Sequence, residues 1–591
     1  MTDIHYNIVP SSPEAHLFTI TCTVKTPDPQ GQVFTMPAWI PGSYMIRDFS
    51  KNIVSLQASS AGKDVVVDTI DKQTWRCAPC EDSLTIAYEV YAWDLSVRTA
   101  HLDITHAYFN GSSVFLCVQG QEDSACHVNI LKPAGDAYND WRVATAMTRD
   151  GAALHGFGQY IASNYDELID HPVEMGCFTL ATFEVAGVPH DIAITGKHSA
   201  DMDRLCRDLT LICEQHVSLF GELPKMQRYV FQVMAVGSGY GGLEHRASTS
   251  LLCSRYDLPR RGDDTLSDEY RCFLGLCSHE YFHTWNIKRI KPAVFIPYDL
   301  SQETYTHLMW MFEGITSYFD DLCLLRCGLI DIDSYLELVA QMVTRVIRGP
   351  GRFKQSIWDS SFYTWNKFYK QDENAPNAIV SYYAKGALIA LGLDLTIRQQ
   401  TGHSVSLDDV MKYLWEHYGS QGIGVPDVAI EQEIAEQFDV DLDKFFARFL
   451  RGTDEIPFHQ WFDDAGIEFT RFPAQSCQDK GGKWPQKPSS RIGLGALFVE
   501  CPQGVQLTHV FDDGMSQKAG LSAGDILLAL NGIKVEFKSL EKRLGEYQSG
   551  ERMRIHAFRR DELMVFELQA QPADNDTCAL RLQGDVSFWP V

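Results

Sequence analysis

The sequence predicts a multi-domain α+β protein, on three observations. Short runs with strand period fill the first 170 residues, and helical period dominates from about Asp268 to Leu450. A stretch rich in Pro, Gly, Lys, Gln and Ser then sets apart a last β-rich segment. The expected organisation is a β-sandwich-like domain over 1–170 and a central region over 171–470, β-rich first and helical after. A linker over 471–490, a compact β-rich domain over 491–575 and a tail over 576–591 complete it. A chain of 591 residues has room for this, at roughly 100–200 residues per domain.

His16–Val24 (HLFTITCTV) and Leu84–Val90 (LTIAYEV) alternate apolar and polar residues and favour strands. Breakers such as Pro27-Asp-Pro and Pro41-Gly-Ser lie between such runs. From Phe178 to Val236 strands mix with one helix, Asp201–Leu219, and the segment ends in the strand-like Arg228–Val236. Helical patterns follow at Glu303–Leu325, Ile379–Arg398 and Leu407–Tyr418. In RFPAQSCQDKGGKWPQKPSS, residues 471–490, apolar periodicity disappears, which marks the linker.

Apolar residues are 45% of the chain and charged residues 22%, so disorder and collagen-like repeats are excluded. With 51 basic and 77 acidic residues the formal charge is −26, which disfavours nucleic acid and anionic lipid as partners. The start has no basic or strongly apolar segment, and no run is long enough to span a bilayer, so a cytoplasmic protein is expected. The 16 cysteines are scattered and read as reduced thiols. Neither Cys77-x-x-Cys80 nor Cys323-x-x-x-Cys327 has the partners a metal site needs.

The sharpest signal is His279-Glu280-Tyr-Phe-His283, an HExxH. Histidines one helical turn apart share a face, so both imidazoles can reach one zinc ion, and the glutamate between them can take a proton from water there. Ser267-Asp-Glu supplies a helix start, and Cys272, Leu276, His279 and His283 fall on one stripe. A catalytic zinc needs a third protein ligand, for which Glu303 and Glu313 compete. Glu303 follows Ser301 at an expected helix start, where acidic residues are common for dipole reasons alone. Glu313 lies mid-helix among bulky apolar residues, where a carboxylate calls for a compensating charge such as a metal, and it is preferred. Asp320 can orient a ligand histidine or be solvated.

Other motifs join this one. Trp310-Met-Phe-Glu313-Gly resembles the W-x-x-E-G element of thermolysin-like aminopeptidases. Gly241-Gly242-Leu-Glu244-His245 resembles the G-x-M-E-N motif of the aminopeptidase N family, and Tyr382-Tyr383-Ala-Lys-Gly386 its Y-E-K-G. With Pro37-Ala-Trp-Ile-Pro-Gly-Ser-Tyr-Met-Ile-Arg47, His283-Thr-Trp-Asn-Ile-Lys-Arg-Ile-Lys-Pro292 and a PDZ-like C-terminal segment, the chain resembles the PDZ-containing glycyl aminopeptidase family along nearly its whole length. Two departures stand out: the interval from His283 to Glu313 is longer than in the aminopeptidase N family, and position 245 is histidine rather than asparagine.

The resemblance implies a thermolysin-like catalytic domain over 171–470 that binds one zinc ion through His279, His283 and Glu313, with Glu280 as general base. Tyr383 would stabilise the developing oxyanion, with Tyr382 as the competing tyrosine, and Glu244 would bind the free amine of a peptide. It also implies a small N-terminal residue, glycine or alanine, in the substrate. An endopeptidase in which Glu244 binds no amine is one rival. A non-catalytic peptide-binding scaffold is another, although a structural metal site has no need of Glu280.

Two motifs are set aside. Gly237-Ser-Gly-Tyr-Gly-Gly242 matches a dinucleotide fingerprint, but no apolar-periodic helix opens after it. Its glycines Gly241 and Gly242 instead let backbone lie close to a peptide, or make a loop. Gly520-Leu-Ser-Ala-Gly524 matches a nucleophile elbow, yet a strand pattern follows where a helix is required. In context it is the helix-turn-strand of a PDZ domain over 491–575. Gly493, Leu494 and Gly495 then resemble the loop that grips a peptide C-terminus. Whether this domain binds peptide or packs against the catalytic part stays open.

Overall fold

The computed structural model describes residues 3–485 and 491–583; residues 486–490 of the expected linker and 584–591 of the expected tail lie outside these. The chain divides into two compact units, Met1–Thr304 with Met411–Val425, and Tyr305–Val410 with Pro426–Val591.

The first unit begins as β structure. Strands Ile4–Ser12, Leu17–Val24 and Leu84–Tyr91 bury every second side chain, the signature of one face against a core. They belong to an eight-stranded sheet that shares one apolar core with two four-stranded sheets. A five-stranded sheet follows. Val188–Thr195, Tyr229–Val236 and Ser248–Ser254 run parallel in it, and Tyr240–Glu244 pairs antiparallel at the edge. The glycine-rich run therefore joins strand to strand, and no helix opens there for a dinucleotide. Helix Met202–Phe220 starts at Asp201, whose side chain accepts from the Arg204 amide, and stops at left-handed Gly221. Helix Asp268–Phe282 starts at Ser267, which caps the Tyr270 amide.

In the second unit the expected helix over Glu303–Leu325 begins late. A π-helical turn, Trp310–Gly314, runs into helix Ile315–Arg326, while Glu303 lies in irregular chain and in the first unit. The reason is local competition for backbone groups. The Asp299 carboxylate takes both the amide and the hydroxyl of Ser301, and Asp427 takes the hydroxyl of Thr306 and the amide of His307. Helix Ala384–Gln400 likewise starts later than Ile379, because the Ser381 hydroxyl accepts from the Ala384 amide. The next expected helix comes out as Leu407–Leu414 followed by a π-helical turn, Trp415–Gly419.

Residues 492–570 build a separate apolar core under a six-stranded sheet with helices Met515–Lys518 and Phe537–Leu544. Here Gly520–Gly524 leads from helix through turn to strand Ile526–Leu530, not from strand to helix. This module is held to the helical part by Asn377, which donates to the Val510 carbonyl at 2.8 Å and accepts from the Asp512 amide at 2.9 Å. The stretch expected as a tail carries strand Thr577–Leu582, which pairs antiparallel with Ile467–Phe472. Its Cys578 amide donates to Thr344 Oγ1 of helix Ile332–Arg348 at 3.0 Å. Buried Cys578 and Leu580 explain why this end is tied down. No helix of the described residues is long and apolar enough to cross a membrane.

The two motif helices of the second unit touch through glycine. A Cβ on Gly314 would lie 2.8 Å from Gly386, and one on Gly386 would lie 3.0 Å from Gly314 Cα. Gly386→Ala is expected to destabilise by about 1–3 kcal/mol through overpacking, read as a lower denaturation midpoint. An unchanged midpoint would show that the contact can relax at no cost.

Candidate metal centre and substrate site

The first unit supplies the histidine helix. His279 is half-buried, while Glu280 and His283 are 5% and 1% exposed. The two imidazoles stand edge to face, with centroids 4.6 Å apart and planes at 88°. His283 Nδ1 lies 2.9 Å from the Asn286 carbonyl oxygen. A carbonyl can only accept, so Nδ1 carries the hydrogen and Nε2 keeps the lone pair that a metal requires. Just beyond, Ile287 sits at φ 82°, a strained backbone for a β-branched residue, in the turn that follows Asn286.

The edge strand Tyr240–Glu244 packs closely on this helix. A Cβ on Gly242 would overlap the Glu280 carboxylate, so only glycine fits there. Arg98 donates to the Gly242 carbonyl at 3.1 Å, and its Nη1 lies 3.6 Å from where a Gly241 side chain would begin. Glu244 is 4% exposed, and ligand-capable atoms of Glu244, Glu280 and His283 lie within 4.8 Å of one another. The N-terminal motif supports Glu244 from the other side. Gly42, at φ 100°, leaves no room for a side chain, since a Cβ would lie 2.6 Å from Glu244 Oε1. That motif is anchored by Trp39, whose Nε1 donates to the Asp299 carbonyl at 2.9 Å, and by Tyr44 stacked on Phe295.

Asp170 joins the two motifs of the first unit. Its carboxylate lies 2.6 Å from Lys288 Nζ, accepts from the Arg246 amide at 2.9 Å and lies 3.2 Å from His245 Nδ1. Burial alone would raise the Asp170 pKa, but Lys288, Arg246 and His245 outweigh it and hold the group well below the usual carboxylate range. Burial lowers the pKa of His245 despite Asp170, so we read it as a neutral ring donating from Nδ1. His245 thus holds the end of the strand in place.

Glu313 and Tyr383, the other two candidates, lie in the second unit. Glu313 is 2% exposed on the π-helical turn, a widened turn that sets its side chain apart from regular helical spacing. Tyr382 is fully buried, and burial, then Tyr369 and Glu313, push its hydroxyl well above the usual range. Tyr383 stacks on Tyr382 at 4.7 Å and stays partly exposed at the start of helix Ala384–Gln400. Of the two tyrosines, Tyr383 is the one that reaches solvent. Asp320 is partly exposed on helix Ile315–Arg326.

Two imidazoles from one helix with buried carboxylates at hand form a donor set that suits zinc, and the Asn286 contact fixes the needed tautomer of His283. The sequence pointed to His279, Glu280, His283, Gly241, Gly242 and Glu244, all on two neighbouring elements of the first unit. It missed Arg98, Asp170 and Asn286. No local pattern marks Asp170, whose partners lie more than seventy residues away.

Residues 5–177 match the Peptidase M61 N-terminal domain, and residues 272–389 match M61 glycyl aminopeptidase. A solved structure of an aminopeptidase N family protein from Idiomarina loihiensis is 42% identical, covers 98% of each chain and has a TM-score of 0.96. An M1 zinc metallopeptidase from Deinococcus radiodurans is 13% identical over 77% of this chain and 94% of its own, with a TM-score of 0.49. No curated protein matches the chain.

Asp170→Ala should leave Lys288 buried and unpaired and cost about 3–5 kcal/mol, read by denaturant unfolding. A cost below about 1 kcal/mol would mean that Lys288 finds another partner.

Proposed function

The chain belongs to the M61 glycyl aminopeptidase family, and on that premise we propose that it is a zinc aminopeptidase removing small N-terminal residues, glycine or alanine, from peptides. The observation that supports this is the buried grouping of Glu244, Glu280 and His283, in which a carboxylate that would bind the amine lies beside the helix whose histidines would ligate the metal. His279, His283 and Glu313 would hold one zinc ion at this centre, His283 through Nε2.

Zinc, when bound, polarises the scissile carbonyl and makes water acidic enough to react near neutral pH. Glu280 takes the proton from the attacking water and passes it to the leaving amine. Tyr383 donates a hydrogen bond to the developing oxyanion, a role its partial exposure permits and the burial of Tyr382 does not. Glu244 binds the substrate ammonium and so fixes the scissile bond one residue from the end. Gly241 and Gly242, on an edge strand, let the substrate backbone approach.

The segment 491–575 is proposed as a PDZ domain. In support, strand Ala496–Cys501 lies at the edge of its sheet, beside helix Phe537–Leu544 through Phe498 and Phe537. Gly493, Leu494 and Gly495 would take a peptide C-terminus. All 16 cysteines are free, which supports a reducing, cytoplasmic setting.

Glu280→Gln is expected to keep the zinc of this centre and lose at least about a hundredfold in turnover, while His283→Ala loses the zinc of this centre together with the activity. Activity of the Glu280 variant within a few-fold of the parent would refute the mechanism.

Metal analysis tests the third ligand. Glu313→Gln should weaken zinc binding strongly and Glu303→Gln should not, so zinc loss in the Glu303 variant alone reverses the assignment.

Glu244→Ala should cut kcat/KM on glycyl or alanyl chromogenic substrates about a hundredfold or more without changing zinc content. The parent should ignore the N-acetylated forms. Efficient cleavage of acetylated or internal bonds would make it an endopeptidase.

A further inference from the structure

Strands Ala100–Leu102 and His106–Phe109 form a tight hairpin that carries His101, Asp103 and His106. Ligand-capable atoms of these three residues lie within 4.8 Å of one another. His101 and His106 are 5% and 3% exposed. Their rings face each other at 4.9 Å, and Trp93 stacks on His101 from the other side.

Each side chain is already oriented. Asp103 Oδ1 accepts from the amide and hydroxyl of Thr105 and from the His106 amide, which holds the turn. That leaves Oδ2 pointing to His101, 3.4 Å from Nε2. His106 Nδ1 lies 3.2 Å from Glu174 Oε1, an oxygen that also accepts from Thr195 Oγ1 at 2.8 Å. A carboxylate on Nδ1 fixes the tautomer whose Nε2 bears the lone pair, the arrangement found behind metal-ligating histidines. His106 Nε2 and His101 Nδ1 are both buried and have no hydrogen-bond partner among the described residues. Such nitrogens are costly to leave unpaired. A cavity of about 30 Å³ lies against His101, His106 and Glu174, with Tyr108 and Gln232 also in its wall. It has room for an ion or a water molecule.

We propose that His101, Asp103 and His106 form a second metal centre, binding a divalent transition-metal ion of the class that imidazole and carboxylate select, such as zinc, iron(II), cobalt or nickel. Glu174 orients His106 from behind. The ion fastens the hairpin to strand Val173–Gly176, which carries Glu174. From the same hairpin Tyr108 donates to Ser250 Oγ at 2.8 Å, and Ser250 donates to Gln232, so the clamp reaches the sheet whose edge strand carries Glu244. Its role is to hold that layer together.

The test uses the full-length His283→Ala chain, or His279→Ala if that fails to fold, stripped with chelator and titrated with Zn²⁺. One equivalent should bind per chain and raise the melting temperature. His106→Gln in the same background should abolish that equivalent, and His101→Gln repeats the test if the first variant is unfolded. In the otherwise native chain either variant should remove one of two bound zinc ions and keep peptidase activity within a few-fold. Absence of stoichiometric zinc in the His283→Ala chain overturns the inference, as does zinc that survives both hairpin substitutions. A native chain that binds only one zinc, kept in His283→Ala and lost in His106→Gln, would leave this centre standing and remove the peptidase centre instead.

Discussion

Two carboxylates, Glu244 and Glu280, are buried within reach of the His283 imidazole. Negative charge concentrated away from water is tolerated only where cations or strong donors answer it, and the surrounding structure is organised around that demand. A metal ion and a substrate ammonium are the two cations the proposed chemistry brings. One layer back, Lys288 and Arg246 converge on the carboxylate of Asp170. That contact ties the glutamate strand to the segment that follows the histidine helix.

Glycine sets the distances in each unit. Gly242 lets the edge strand settle onto Glu280, and Gly42 lets the N-terminal loop meet Glu244. In the second unit Gly314 and Gly386 let the turn that bears Glu313 touch the helix that follows Tyr383. At all four positions a methyl group would collide with backbone or with a functional carboxylate. The glycines in the motifs are thus spacers, and their presence beside each acidic residue has a steric cause.

Histidines do two kinds of work in the first unit. His283 is oriented by a backbone carbonyl from its own loop, whereas His106 is oriented by Glu174 from a distant strand. His245 has a third environment, buried and held neutral against Asp170, and serves the framework. Residue type alone does not separate these roles.

Much was legible in the amino-acid sequence. Period-2 runs marked Leu17–Val24 and Leu84–Tyr91, the Ser267 cap marked the histidine helix, and its spacing placed His279 and His283 on one face. These features rest on neighbours in the chain, so local pattern suffices. The helix expected to begin at Glu303 begins at Trp310 instead, because Asp299 and distant Asp427 claim the backbone and hydroxyl groups its first turns would have used. Thr577–Leu582 of the expected tail form a paired strand because their apolar side chains meet helix Ile332–Arg348, and Asp170 escaped notice because its partners lie far along the chain. The His101–His106 cluster had a compact spacing, yet only folding buried it and brought Glu174 behind it. The sequence determined the elements and the chemistry available to them. The tertiary structure decided which polar groups lost water together, because burial sets the cost of leaving a charge or a nitrogen unanswered.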